Sequence, residues 1–154
     1  MFFSQDYDNY KKQHETGWDA LNWVHSKDLS PWPSTMPSNP DSPEWSFCFN
    51  NIQLFINISS SDHKLLQSRN LGSCLTFVIN ARENFDVVAN GKTKSGRLVR
   101  NQIRDRVRTF NNGLIPKELG FYGEEENLEW KQYQLSENDL KKPTKCPFVH
   151  KNNQ

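Results

Sequence analysis

Histidine is the residue type in this chain best suited to binding a metal or moving a proton at neutral pH. His63 follows a predicted strand, in the Ser/Asp-rich break "SSSDHKLLQSRN", beside Asp62 and Lys64. An imidazole there could bind a metal ion or heme iron, with a neighbouring side chain fixing its tautomer. A hydrogen-bonding or surface role is the alternative. The other histidines, for which packing, surface or tail positions are expected, are His14, His25 and His150.

Cysteine supplies the second candidate ligand. Cys146 precedes Pro147 in "KCPF", and a thiolate there could be an axial iron ligand. A packed, unreactive thiol is the alternative. With Cys48 and Cys74, the cysteines lack the paired spacing of a zinc site or a CxxC motif, so free thiols are expected. The chain also lacks HExxH, GxSxG, P-loop and GxGxxG motifs, which argues against the familiar hydrolase and nucleotide-binding classes.

A basic segment at residues 92–108 could bind phosphates or carboxylates. It holds seven positive side chains, Lys92, Lys94, Arg97, Arg100, Arg104, Arg106 and Arg108, against the single Asp105. The alternative is a solvated helix face, partly neutralised by the acidic run at 124–126. The net charge of the whole chain is +1, and no nucleic-acid motif accompanies the segment, so nucleic acid is not expected as a partner.

The elements that must position these side chains can be read from periodicity. Apolar residues at helical spacing predict an amphipathic helix over 5–27, and five prolines make residues 29–44 an irregular connector. Alternation in "WSFCFNNIQLFINI" predicts two strands joined by a hairpin at Asn50-Asn51, with a third strand at "SCLTFVIN". One face of the basic helix carries Val99, Ile103, Val107 and Phe110, and Gly113 can end the helix.

A last strand is predicted in "LEWKQYQL", and residues 149–154 are expected to be a frayed tail. The sum is an α+β fold with an antiparallel sheet of about four strands, on which the N-terminal helix and the basic helix pack. The 154 residues suit one domain, residues 1–154, whose core is aromatic because the chain has 10 Phe, 5 Trp and 4 Tyr. No signal peptide or membrane span is visible, so a cytoplasmic protein that does not enter membranes is expected, and homo-oligomerisation is compatible with the sequence.

Several motifs in a fixed order give this chain a resemblance to a known family. They are "PWP…NPDSPEWSFCF", "DHKLLQSR", "GRLVRNQIRDRVRTFN", "LGFYGEEENLEWKQYQL" and "KCPF", which together run from about Trp18 to Phe148. The chain resembles the YqcI/YcgG family in this set. The resemblance implies that the "EENLEWKQY" block is part of a shared framework or site.

That family includes a heme-dependent N-hydroxylase of a guanidine-bearing amino-acid derivative. The resemblance therefore implies a heme-binding, monooxygenase-like protein with a small-molecule substrate and an external electron donor. His63 matches the family's "HK" motif and is the implied axial ligand, with Cys146 second. Arg69 and Arg82 are implied partners of the heme propionates.

The same resemblance implies a pocket. Its wall would include Trp45, Phe47 and Phe49, with Trp130 and Tyr133 as core or wall, and Glu129 with the 124–126 carboxylates would meet a cationic amine or guanidine. Family members usually carry a further upstream segment, which this chain is expected to lack. Two alternatives therefore stay open: a heme or small-molecule binding module without turnover, and a protein that binds an acidic partner through its basic helix.

Overall fold

A computed structural model of the chain describes residues 10–137 and 143–150. Its elements, in chain order, are α1 (Tyr10–Ser26), β1 (Phe47–Phe49), β2 (Ile52–Ser59), a 3-10 turn (Gln67–Arg69), β3 (Thr76–Ala81), α2 (Arg82–Val88), α3 (Lys94–Phe110) and α4 (Glu129–Tyr133). The predicted α+β class is confirmed. The first helix was predicted from residue 5, and residues 5–9 lie outside the described residues.

The three strands form one antiparallel sheet in the order β1-β2-β3. The hairpin between β1 and β2 turns at Asn50 and Asn51, whose φ angles are 50° and 63°. Two successive residues with positive φ suit a two-residue hairpin turn, and asparagine tolerates that conformation better than most residues. The predicted hairpin is thereby confirmed, with Phe49 opposite Ile52.

One face of the sheet carries the core. Ile56 and Ile58 of β2 are fully buried. Helix α1 lies against Ile58 through Gly17, since a Cβ at that position would sit 2.9 Å from Ile58 Cγ2. Aromatic side chains fill most of the remaining space, as the composition predicted. The fully or nearly fully buried ones are Trp18, Trp45, Phe47, Phe77, Trp130, Tyr133 and Phe148.

The predicted fourth strand is wrong. Residues 129–133 form the short helix α4, and the part of the chain that the structure describes has three strands. Glu129 and Trp130 are both buried beside Tyr133, because residues three and four apart share one side of a helix. In so short a segment the same sequence also fits the alternation of a strand, so periodicity could not distinguish a helix from a strand here.

The basic helix was predicted in the right place, but its packing was predicted wrongly. Thr93 caps α3, its Oγ1 accepting a hydrogen bond from the Gly96 amide at 3.0 Å, so α3 begins two residues later than expected. It contacts α2 and the 3-10 turn rather than the sheet. On its apolar face, Val99 and Val107 are half-buried, and Ile103 and Phe110 are exposed.

The connector at 29–44 has no helix or strand, as predicted, although Met36 within it is buried. Within the described residues, no helix combines the length and the apolar character needed to cross a membrane. Of the predicted tail, Val149 and His150 are described, and residues 151–154 lie outside the described residues.

Candidate functional site

A buried ion pair joins α2 to α4. Arg82, the first residue of α2, is 5% exposed, and its guanidinium pairs with the carboxylate of Glu129, the first residue of α4, which is 1% exposed. Because each charge would be costly to bury alone, each requires the other. The Arg82 guanidinium also stacks on the Tyr122 ring, with 3.7 Å from Cζ to the ring centre.

The second oxygen of Glu129 connects the pair to the β1–β2 hairpin. Glu129 Oε1 accepts hydrogen bonds from Ser46 Oγ at 2.7 Å and from the Tyr133 hydroxyl at 3.0 Å. The Tyr133 hydroxyl in turn accepts from the Phe47 amide at 3.0 Å and lies 2.8 Å from the Leu54 carbonyl. Burial raises the pKa of Tyr133, so this hydroxyl keeps its proton at neutral pH. The network is therefore a fixed structural centre.

A small cavity lies beside the ion pair. Its volume is about 50 Å³. It is lined by Phe55, Arg82, Phe85, Arg100, Gly120, Tyr122, Glu129 and Gln132. Ligand pockets in proteins usually span about 300–1,000 Å³, so this cavity is too small for an amino acid.

A larger, mixed-charge cleft lies on the other side of α4, with a volume of about 710 Å³. Its lining brings together carboxylates, ammonium groups and a short apolar wall. The residues are Lys117, Glu118, Gly120, Glu124, Glu126, Asn127, Leu128, Trp130, Lys131, Gln134, Pro143 and Thr144. Carboxylates can hold a guanidinium through two parallel hydrogen bonds, and an ammonium group can hold a carboxylate. The cleft therefore suits a zwitterion with a cationic end.

His63 lies in the core and not on this cleft. It is 1% exposed, its Nδ1 is 3.3 Å from Glu137 Oε1, and its ring centre is 5.8 Å from that of His14. The Glu137 carboxylate also accepts the backbone amides of Lys64, Leu65 and Leu66, at 3.0, 2.8 and 2.7 Å. Glu137 therefore fixes the loop that carries His63 as well as the imidazole itself.

Burial sets the protonation of this histidine cluster. It lowers the pKa of His14 to about 3, with the nearby His63 contributing, and it lowers the pKa of His63 despite the opposing effect of Glu137. Burial alone would raise the pKa of Glu137, but the three amide hydrogen bonds and His63 lower it overall. At neutral pH the cluster is two neutral imidazoles beside a carboxylate.

Arg69 is buried and forms hydrogen bonds within the protein. Its guanidinium donates to the Gln132 carbonyl at 2.9 Å and to the Tyr133 carbonyl at 3.4 Å, so it caps the C-terminal end of α4. Burial lowers its pKa to about 10, which leaves it charged at neutral pH. Both arginines expected at heme propionates are thus engaged in fixing α4.

The other predicted site residues are mostly core. Trp45 and Phe47 are fully buried, and Phe49 is half-buried at the edge of the same cluster. Trp130 reaches both the core and the cleft, and its indole nitrogen donates to Asp41 at 3.3 Å. Cys146 packs against the core, and burial raises its pKa to about 12, so it is a thiol at neutral pH.

The described residues do not fit a heme. Neither cavity described above is lined by a histidine or cysteine, the side chain of His63 is enclosed, and Cys146 packs against the aromatic core. Arg69 and Arg82 have internal partners. Residues 10–137 and 143–150 also hold no group of three or more side chains suited to another metal ion.

Glu137 and Ser46 were missed by sequence reasoning. Glu137 is 73 residues from the amide of Lys64 that it binds, and Ser46 is 83 residues from Glu129. No local pattern marks such pairs. The acidic run did point to the cleft, since two of its three glutamates line it.

Fold and site together define a class: a small α+β domain, three-stranded in its described part, with a buried ion pair beside an acid-rich cleft. The chain belongs to the YqcI/YcgG family, whose model matches residues 1–149. This confirms the resemblance found in the motifs.

Three curated relatives match this chain over about half of their own length. "Putative N(omega)-hydroxy-L-arginine synthase DcsA" of Streptomyces lavendulae is 43% identical over 142 residues, which are 92% of this chain and 53% of that protein. The uncharacterized proteins YqcI and YcgG of Bacillus subtilis (strain 168) are 36% and 34% identical, over 88% and 90% of this chain and 52% and 54% of their own lengths. The chain thus spans about half the length of these relatives. No solved structure gives a significant match.

The ion pair makes a prediction about stability. Replacing Glu129 by Gln leaves the Arg82 charge buried without a counter-ion, so the free energy of unfolding should fall by about 3–5 kcal/mol. The surface pair of Arg97 and Glu124, about half exposed on both sides, is the matched control. Glu124→Gln should cost less than about 1 kcal/mol. Urea unfolding followed by circular dichroism measures both.

Equal losses in the two variants would contradict the buried pair. If Glu129→Gln does not fold, the double variant Arg82→Leu, Glu129→Met separates charge from packing. It removes both charges and should be more stable than the single variant.

The histidine cluster makes a prediction about pH. The folded pKa of His14, about 3, lies below the unfolded value of 6.5, and that of His63 is also lowered, so the unfolded chain binds more protons below pH 6.5. The contribution of these histidines to the free energy of unfolding should be fully present above pH 6.5. It should fall as the pH drops toward 3, by up to about 1.4 kcal/mol per pH unit for each histidine. Urea midpoints at pH 7, 6 and 5 test this. His14→Gln should flatten the slope, and an unchanged slope would contradict the assignment.

Proposed function

We propose that this chain binds a guanidine-bearing amino acid and takes part in hydroxylation of its guanidine nitrogen. The observation that carries the proposal is the 43% identity, over 92% of this chain, to a protein named as an N(omega)-hydroxy-L-arginine synthase. That name describes the relative. The geometry of the cleft is what supports its extension to this chain.

The cleft offers complementary groups for both ends of such a substrate. Glu118, Glu124 and Glu126 supply carboxylates for a guanidinium, and Lys117 and Lys131 supply ammonium groups for an α-carboxylate. The volume of about 710 Å³ falls within the usual range of ligand pockets. Leu128 and Trp130 add an apolar wall for the methylene chain.

N-hydroxylation places one oxygen atom of dioxygen into an N–H bond and reduces the other to water, with two electrons and two protons from an external donor. The side chains of amino acids do not activate dioxygen by themselves, so a cofactor is needed, and the resemblance implies heme. Since the described residues do not fit a heme, we infer that the oxidising group is held with the help of protein outside this chain. Alone, the chain then binds substrate without turnover.

Substrate binding is tested by calorimetry with L-arginine and L-citrulline, which replaces the charged guanidinium with a neutral urea group. Arginine should bind about tenfold more tightly, because citrulline leaves the carboxylates without a cation. Glu126→Gln should weaken arginine binding about fivefold or more. Glu83→Gln on α2, an exposed carboxylate outside the cleft, should leave it unchanged. Equal affinity for the two ligands, or none for arginine, would contradict the proposal.

Heme is tested separately, by titrating hemin into the purified chain and recording the Soret band. We expect no saturable band at one heme per chain, because His63 is enclosed and the arginines are engaged. A saturable band that shifts in a folded His63→Ala variant would overturn this fit and make His63 the axial ligand. A band that shifts in Cys146→Ala instead would favour the thiol.

A further inference from the structure

Three consecutive elements of the domain, β3, α2 and α3, leave apolar residues exposed to solvent. We call these residues together the uncovered side. It consists of Val78 on β3, Val87 and Val88 on α2, and Ile103 and Phe110 on α3, all of which are exposed. Because α2 contacts both β3 and α3, these three elements lie next to one another. Val87 is 84% and Phe110 61% exposed, so the described chain provides them with little cover.

The spacing of apolar residues in α3 predicts more burial than the described chain gives this helix. Val99, Ile103 and Val107 recur at helical spacing, which is typical of a helix that packs with that stripe. Another part of the helix is covered, since the guanidiniums of Arg97, Arg100 and Arg104 lie 4.1–5.6 Å from the ring centre of Phe121. Within this stripe, Val99 and Val107 are half-buried and Ile103 is exposed, so the described chain covers the stripe only in part.

The adjoining strand β3 is at the edge of the sheet in the described part of the chain. Its sequence, "TFVINA", has no charge and no proline. Edge strands that face solvent usually carry charged residues or proline, which prevent their free backbone groups from pairing with another strand. The strand is thus suited to accepting a neighbour.

Charge and length indicate what covers this side. Of the six positive side chains of α3, Arg97, Arg100 and Arg104 lie over Phe121. The other three, Lys94, Arg106 and Arg108, favour a matching surface with an apolar centre and an acidic rim. About half of each relative's length lies outside the match with this chain. We propose that the uncovered side is the docking surface for that remaining half of the family protein, which adds a strand to β3 and covers α2 and α3.

Two other occupants fit the surface less well. A second copy of this chain would bring the same cations of α3 against themselves, which is unfavourable. An anionic membrane would suit a basic amphipathic helix, but it would leave the edge of β3 unpaired. The proposal does not depend on what the cleft binds, so failure of arginine binding would leave it intact.

The first test coexpresses this chain with the half of the Streptomyces relative that the match leaves out. A 1:1 complex should elute in size exclusion with light scattering. Val88→Lys and Phe110→Lys should each weaken it about tenfold, since each buries an added charge at the interface. Leu29→Lys is the matched control, because Leu29 is fully exposed outside the uncovered side, and it should leave the complex unchanged.

Hydrogen exchange gives a second test that does not require the separate half to fold. Amides of Thr76–Ala81 in this chain should exchange about tenfold faster or more than those of the matching strand in the full-length Streptomyces relative. Similar rates would overturn the proposal. So would the absence of a complex between folded partners, a homodimer that Phe110→Lys dissociates, or binding to anionic vesicles that Phe110→Lys abolishes while no complex forms.

Discussion

The buried pairing of Arg82 with Glu129 is the interaction on which the rest of this structure depends. Two charges removed from water must find each other, so the start of α2 and the start of α4 are held in one place. The hydrogen bond from Ser46 to Glu129 then ties both helices to the strand hairpin. Arg69 fixes the other end of α4 through the last carbonyls of the helix. A five-residue helix has little stability of its own and depends on these contacts.

This constraint explains why two kinds of chemistry are separated in the domain. With α4 fixed, Trp130 faces the core while Lys131 and the preceding acidic loop face solvent, and the cleft forms along that loop. His14 and His63 lie elsewhere, packed against each other, with His63 beside Glu137. Their neutral state at neutral pH follows from burial, which favours the uncharged form. His63 thus serves the packing of its own loop in this chain.

Much of the fold could be predicted from the sequence, because local rules determine it. The asparagine pair marked the hairpin, the prolines marked the connector, and helical spacing marked α1 and α3. The prediction failed at α4, where five residues are too few for periodicity to decide and a distant arginine stabilises the helix. The acidic run indicated the cleft. The contacts of His63 with Glu137 and of Glu129 with Ser46 could not be predicted, since contacts between residues more than seventy positions apart are set by tertiary packing alone.

The two open faces of the domain share one connecting residue. Arg82 begins α2, which belongs to the uncovered side, and its guanidinium ends at Glu129 on α4, the helix beside the cleft. A partner docked on α2 and β3 would therefore rest against the same ion pair that fixes one wall of the cleft. Buried charges tolerate little displacement, because separation leaves each without compensation. An oxidising group brought by that partner would accordingly meet a cleft whose shape is already set by this chain.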